Sequence, residues 1–312
     1  MNGKGIRIAV WTGIVLAAAG RLVQLATVVG NDGFFVTETA GQRFLSILVY
    51  LLIAAAAIAS VPLRAAKSLR VPSSADDICV PVMGVFSLFA AAAFAADAVN
   101  RIPMRQWLGG LSLLAAVYFV FFAFRAFGKG AAAQHIFAPF ALAYPCARLI
   151  LLFFETFRTI KASENIIEIF GLCGMIVMMI ALTKQAFRFE ESYAKVLWCV
   201  SIYAVFGTLS GPIRLVTVWW GKLRVGRTGK TELAIDIALW AFSIVYLYVA
   251  TGALKAARER LEKAAAVTLV GDGPQTEEQT DVKKEEEISA GNAPQAEEQT
   301  SVQDAERDTE NE

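Results

Sequence analysis

Phe140 to Phe154 reads FALAYPCARLILLFF, a block in which Arg148 is the one charged residue. Strands of a membrane barrel alternate between lipid-facing and lumen-facing residues over ~10 positions, and no such alternation exists here. A helix that crosses a hydrocarbon layer ~30 Å thick, at 1.5 Å per residue, needs ~20 apolar residues in succession. The block meets that requirement within a longer run, Ile136 to Phe157. Seven further runs of the same kind lie at Ile6 to Val29, Phe44 to Leu63, Val80 to Val99, Gln106 to Phe124, Glu164 to Leu182, Val196 to Trp220 and Glu232 to Leu254. Blocks such as LLIAAAAIA at Leu51 to Ala59 exclude a barrel and make every run helical.

Composition agrees with this reading. Of 312 residues, 56% are hydrophobic and 18% charged, with a mean hydropathy of +0.52. A water-soluble domain of this size would carry more polar surface, so the apolar excess faces lipid. The expected fold is an all-α, polytopic transmembrane helix bundle of about eight spans, with residues 1–255 in the membrane domain. The first run also has features of a cleavable leader, with Lys4 and Arg7 ahead of it and small residues at Ala17 to Ala19. Its apolar character continues past Arg21 to Val29, which favours a retained span.

Lysine and arginine in the connections are retained on the cytoplasmic side. With the N-terminus inside, the inner connections hold about 14 of them against about 9 outside, which predicts both termini in the cytoplasm. The loop with Lys222, Arg224, Arg227 and Lys230 runs against this bias. Beyond Leu254, KAARERLEKAAA reads as a juxtamembrane helix over 256–270, rich in good helix formers. The segment 271–312 holds about 14 acids against Lys283, Lys284 and Arg307, and repeats itself as PQTEEQTDV from Pro274 and PQAEEQTSV from Pro294. So few apolar side chains cannot offset the entropy of ordering, which predicts a disordered acidic tail, open to a cytoplasmic partner.

Several motif-like strings fail on inspection. GRTGKT at Gly226 to Thr231 lacks the first glycine of a phosphate-binding loop, which would stand at Arg224, and no strand precedes it. GTLSGP at Gly207 to Pro212 approaches the serine motif of rhomboid-like proteases, but is one residue too long and has no histidine on another span to act as base. Glu190 and Glu191 would need later histidines to serve a metalloprotease, and His135 is the single histidine. Cys79, Cys146, Cys173 and Cys199 form no C-x-x-C pattern, which argues against a thiolate zinc site. We therefore expect no enzyme, no cofactor, no metal and no nucleic-acid partner.

The charges inside the apolar runs are the informative residues, because each costs ~2.5 to 3.5 kcal/mol or more at mid-bilayer unless paired or hydrated. They are Arg21, Asp97, Arg148, Glu155, Glu168, Arg214 and Asp236. By helical rise, Arg148 lies ~18 Å and Arg21 ~22 Å along outward-running spans, and Glu168 and Asp236 lie ~6 Å into inward-running ones, all in the outer half. Asp97 has Arg101 at i+4 and Glu155 has Arg158 at i+3, whereas Arg21, Arg148 and Arg214 have no acid at i±3 or i±4. Glu164 with Glu168, and Glu232 with Asp236, are like-charge neighbours. Pairing Arg148 and Arg214 with Glu168 and Asp236 across helices would relieve both problems.

Arg148 and Arg214 share more than their charge. FALAYPCARLILLFF and FGTLSGPIRLVTVWW, the latter from Phe206, match in the leading Phe, Arg-Leu and the closing aromatic pair, as hairpin repeats would, and a proline stands three residues before Arg148 and two before Arg214. Proline frees carbonyls at a kink, and kinked helices beside buried charges recur at transporter sites. The candidate site is thus Arg21, Arg148, Arg214, Glu168, Asp236 and Asp97, read either as an anion site in an outward-facing cavity or as ion pairs that fix the bundle. The alanine blocks at Ala54 to Ser60 and Ala90 to Asp97 read as helix-packing faces. The function expected is non-enzymatic binding, sensing or partner organisation, with a small permease for an anionic solute as the alternative.

Overall fold

The structure, a computed structural model, describes residues 3–27, 29, 47, 50, 53–54, 79–104, 106–128, 133–156, 163–187, 193–221 and 227–271. The described elements are helices throughout: α1 (Gly3–Thr27), α2 (Cys79–Arg101), a 3-10 turn (Ile102–Met104), α3 (Leu108–Ala126), α4 (Gln134–Thr156), α5 (Ser163–Ala186), α6 (Tyr193–Thr208), a π turn (Leu209–Ile213), α7 (Arg214–Trp219) and α8 (Arg227–Gly271). Seven of the described stretches are long and apolar enough to cross a membrane: Arg7–Thr27, Pro81–Arg101, Leu108–Ala126, Gln134–Phe154, Asn165–Ala186, Lys195–Trp219 and Gly229–Gly252. The expected second span, Phe44 to Leu63, falls almost wholly outside the described residues, as do the expected loop at Lys222 to Arg224, the Glu155–Arg158 pair and the tail.

Consecutive helices α2 to α6 pack as neighbours, and α1 packs on α6 and the π turn. The first 24 residues or so of α8 run against several of them at once. Phe242 meets the rings of Phe119 and Phe122 on α3, Tyr246 donates to Gln185 on α5 at 3.0 Å, and Trp240 donates to Thr208 Oγ1 on α6 at 2.9 Å. At the other end Arg7 of α1 donates to Thr251 of α8 at 2.7 Å. Outward-facing residues are apolar instead of polar: Trp11, Phe89, Ile150, Phe153, Phe154 and Trp219 are all at least half exposed. In water such a surface would drive aggregation, whereas against acyl chains it costs nothing.

Helix ends follow local rules. Phe127 and Gly128 close α3 with N–H bonds back to Ala123 and Arg125, and Gly128 takes the positive φ of 75° that this closure needs. Gly221 does the same after α7 with φ of 76°. The π turn has a different cause. Pro212 has no N–H to give and its ring crowds the carbonyl four residues back, so the chain widens by one residue to pass it.

Small residues set how closely the π turn approaches its neighbours. A Cβ on Gly171 of α5 would overlap the Ser210 side chain, and one on Gly211 would sit 3.3 Å from the Asp236 backbone. Gly171→Ala should therefore lower stability by about 1–3 kcal/mol through overpacking. Adding Ser210→Gly should return most of it, a rescue that thermal melting of the purified pair would read directly.

A buried ion-pair network across five helices

Asp97, in the last turns of α2, is fully buried and accepts from four neighbours. Arg101 Nε, one turn on, donates to both carboxylate oxygens at 2.8 and 2.9 Å. Ser112 of α3 donates at 2.6 Å, Thr231 of α8 at 2.6 Å and Tyr144 of α4 at 3.4 Å. One carboxylate thus fastens four helices, at a depth where an unpaired one would be expelled or neutralised.

From Arg101 the network runs on. Its Nη1 donates to Gln106 at 3.1 Å and its Nη2 to Glu232 of α8. The second oxygen of Glu232 lies 3.7 Å from Arg148 Nη2. Arg148 projects from α4 into a ring of acids: Nη1 donates to Asp236 Oδ1 at 2.8 Å, and Nη2 to Glu168 Oε1 at 2.6 Å and Asp236 Oδ2 at 3.1 Å. Arg214 of α7 completes the ring, with Nη2 2.9 Å from Glu168 Oε2 and Nη1 3.9 Å from Asp236 Oδ2. Arg148, Glu168, Arg214 and Asp236 are all buried, and Glu232, with 18% of its side chain exposed, is the member nearest solvent.

The local reasons are legible helix by helix. Glu232 and Asp236 stand one turn apart and so share a face of α8. Arg148 follows Pro145 by three residues, and Arg214 is the first residue after the π turn that Pro212 imposes. Each arginine belongs to one hairpin and each acid of the central pair to another segment of it: Arg148 and Glu168 on α4 and α5, Arg214 and Asp236 on α7 and α8. Both arginines reach both acids, which gives the cluster a rough twofold character.

Of the six sequence-chosen residues, five enter this network. Arg21 is buried on α1 and donates to Gln24 Oε1 at 2.6 Å, with no described contact to Arg148, Arg214 or their acids. Sequence reasoning left out Glu232 as a link, and Ser112, Tyr144, Thr231 and Gln106 as donors and acceptors. A signal for Glu232 existed in its i+4 spacing from Asp236. Single polar residues in apolar runs, such as Ser112, carry none.

Not every polar atom in the network is matched. Arg148 Nε, Arg214 Nε and Nη1, and Ser210 Oγ are buried with no hydrogen-bond acceptor or donor among the described residues. Three of these four atoms lie at the π turn or on the residue after it. No known protein family, curated protein or solved structure matches this chain.

Proposed function

We propose that this chain is a non-enzymatic, multi-pass protein of the cell membrane, crossing it eight times with both termini in the cytoplasm. It binds or senses a solute from the outer side through the ion-pair network, and its acidic C-terminal segment is left to cytoplasmic partners. Seven helices of spanning length and an apolar outer surface support the membrane setting, and the run at Phe44 to Leu63 would supply the eighth.

One contrast carries the binding reading. Asp97 is surrounded by donors, whereas Arg214 Nε and Nη1 and Ser210 Oγ have no hydrogen-bond partner among the described residues. A purely structural clamp gains nothing from such atoms, since each buried unsatisfied group costs about 1–3 kcal/mol. Unmatched guanidinium N–H groups suit a carboxylate or phosphate. The same atoms therefore favour a second reading, a small permease for an anionic solute.

The test is thermal melting of the purified full chain with inorganic phosphate and short-chain mono- and dicarboxylates, followed by uptake into proteoliposomes. An anion at a hundredfold its Kd should add about 2.7 kcal/mol of stability. Arg214→Gln should remain folded and lose that response. Stabilisation unchanged in Arg214→Gln, or no anion response together with a collapse of that variant, would make the network a structural clamp. Uptake into vesicles, lost with Arg214, would select the permease.

A further inference from the structure

The network does not balance. Four carboxylates, Asp97, Glu168, Glu232 and Asp236, meet three guanidiniums, Arg101, Arg148 and Arg214. With all seven ionised, the described cluster would hold one net negative charge inside the membrane. The effective cost of burying an uncompensated ion is several kcal/mol, and a group so placed neutralises itself where it can. Two carboxylates that cannot both ionise share one proton.

We infer that the network holds one proton at neutral pH, that its resident position is Asp236, and that Glu232 is its port to solvent. The assignment comes from comparing the four acids. Asp97 receives three close donors and a fourth at 3.4 Å, which fixes it as the anion. Glu168 receives a different arginine on each oxygen, at 2.6 and 2.9 Å. Glu232 is bonded to Arg101 and partly exposed. Asp236 is 1% exposed and has Arg148 as its one close donor residue.

The groups that face Asp236 come from every side. Arg148 approaches from α4, Glu168 from α5 and Arg214 from α7, while Tyr144 of α4 and Glu232, one turn earlier on its own helix, face Arg148. Tyr203 of α6 donates to the Asp236 backbone carbonyl at 3.3 Å, not to its carboxylate. Arg101 and Asp97 on α2 connect through Glu232, and Ser112 on α3 through Asp97. Arg21 on α1 is bonded to Gln24. Second, and independently, Arg214 Nη1 points toward Asp236 Oδ2 at 3.9 Å without closing a hydrogen bond. A fully charged carboxylate would be expected to draw that guanidinium in.

A proton needs only one oxygen, whereas a metal ion needs several converging ligands. Among the described residues no group of three His, Cys, Asp or Glu side chains is arranged to hold a metal ion, and the three acids nearest one another are gathered on the Arg148 guanidinium. The proton is taken from the aqueous side at the Glu232 carboxylate and passed one helical turn to Asp236, with no other bond made or broken. Protonated Asp236 leaves the cluster neutral and loosens its hold on Arg148 and Arg214, the arginines of the proposed binding site. In that respect the inference rests on the reading above, although the proton itself does not require any solute.

Infrared spectroscopy of the full chain in lipid nanodiscs, with and without selective 13C labelling of aspartate carboxyls, tests it. At neutral pH the acids of the tail are ionised and silent in the protonated-carboxyl region. One protonated-carboxyl band is expected there, shifted by the aspartate label and in D2O, and lost in Asp236→Asn. Glu232→Gln should also abolish it, although Asp236 remains, because the count of charges then balances. A wild-type spectrum without the band, or a band that ignores the aspartate label, overturns the inference, even if no variant folds. A band absent in sodium buffer that emerges in choline buffer would give the place to a metal cation and overturn it too. Solute-induced stabilisation can fail while the band is present, so the two readings fall separately.

Discussion

Arg148→Met is expected to leave little folded protein, with a loss of about 3–5 kcal/mol, the range for removing one partner of a buried ion pair. Arg148 stands within 4.0 Å of three acids on two other helices. Methionine fills much of its volume but leaves the network one positive charge short, with Arg214 alone between Glu168 and Asp236. The loss comes less from the missing bonds than from the carboxylates left behind. Combining Arg148→Met with Asp236→Asn and Glu168→Gln should therefore recover a substantial part of the folded yield, although the triple variant has fewer ion pairs than the single one. Fluorescence-detected size exclusion and melting in detergent would measure both. If the triple variant is no better than Arg148→Met, the deficit is one of packing and the charge argument fails.

Arg214→Met should be milder, because Arg214 has one close acid and its neighbour Arg148 still serves both carboxylates. The difference divides the labour of the two arginines. Arg148 is fastened on all sides but Nε, and its role is inseparable from assembly. Arg214 retains unmatched donors beside a π turn, and such turns occur often at functional sites. Experiments that ask about ligand response belong on Arg214.

How much of this was open to reading from sequence differs sharply between scaffold and site. Val80 to Val99 was expected and Cys79–Arg101 is found; Glu164 to Leu182 was expected and Ser163–Ala186 is found. The match follows from length and composition, since a segment that crosses a bilayer must be helical and predominantly apolar over ~20 residues. The π turn was legible only as Pro212 in an apolar run. Its register depends on Gly171 and Gly211 letting it approach α5 and α8, which is a tertiary fact. Past Leu254 the environment expected for the chain changes but its backbone does not: α8 continues to Gly271, since Lys255 to Ala266 are good helix formers and nothing there interrupts the hydrogen bonding. Charges without local partners pointed to Arg148, Glu168, Arg214 and Asp236, because an intramembrane ion must find a counter-ion somewhere. Which hydroxyls join them could not be foreseen: Ser112 and Thr231 reach Asp97 only because α3 and α8 happen to rotate those faces toward α2.

Asp97 offers the second large effect, and it separates charge from hydrogen bonding. Asp97→Leu should cost about 3–5 kcal/mol, since Arg101 loses its intrahelical partner while buried and three hydroxyls, those of Ser112, Thr231 and Tyr144, lose their acceptor. Asp97→Asn retains an acceptor oxygen for Ser112 or Thr231, and its amide is repelled by the Arg101 N–H groups, so about 1.5–3 kcal/mol should be lost. Arg101→Met in the Asp97→Leu background should add little further loss. It removes the stranded guanidinium, and the acid it frees, Glu232, has 18% of its side chain exposed and can turn to water. A double-mutant cycle on melting free energies would then show a coupling of at least ~1 kcal/mol between the two positions. Additive losses would mean that Asp97 acts through its hydroxyl partners and not through the arginine, and the network would have to be divided at that point into two separate clusters.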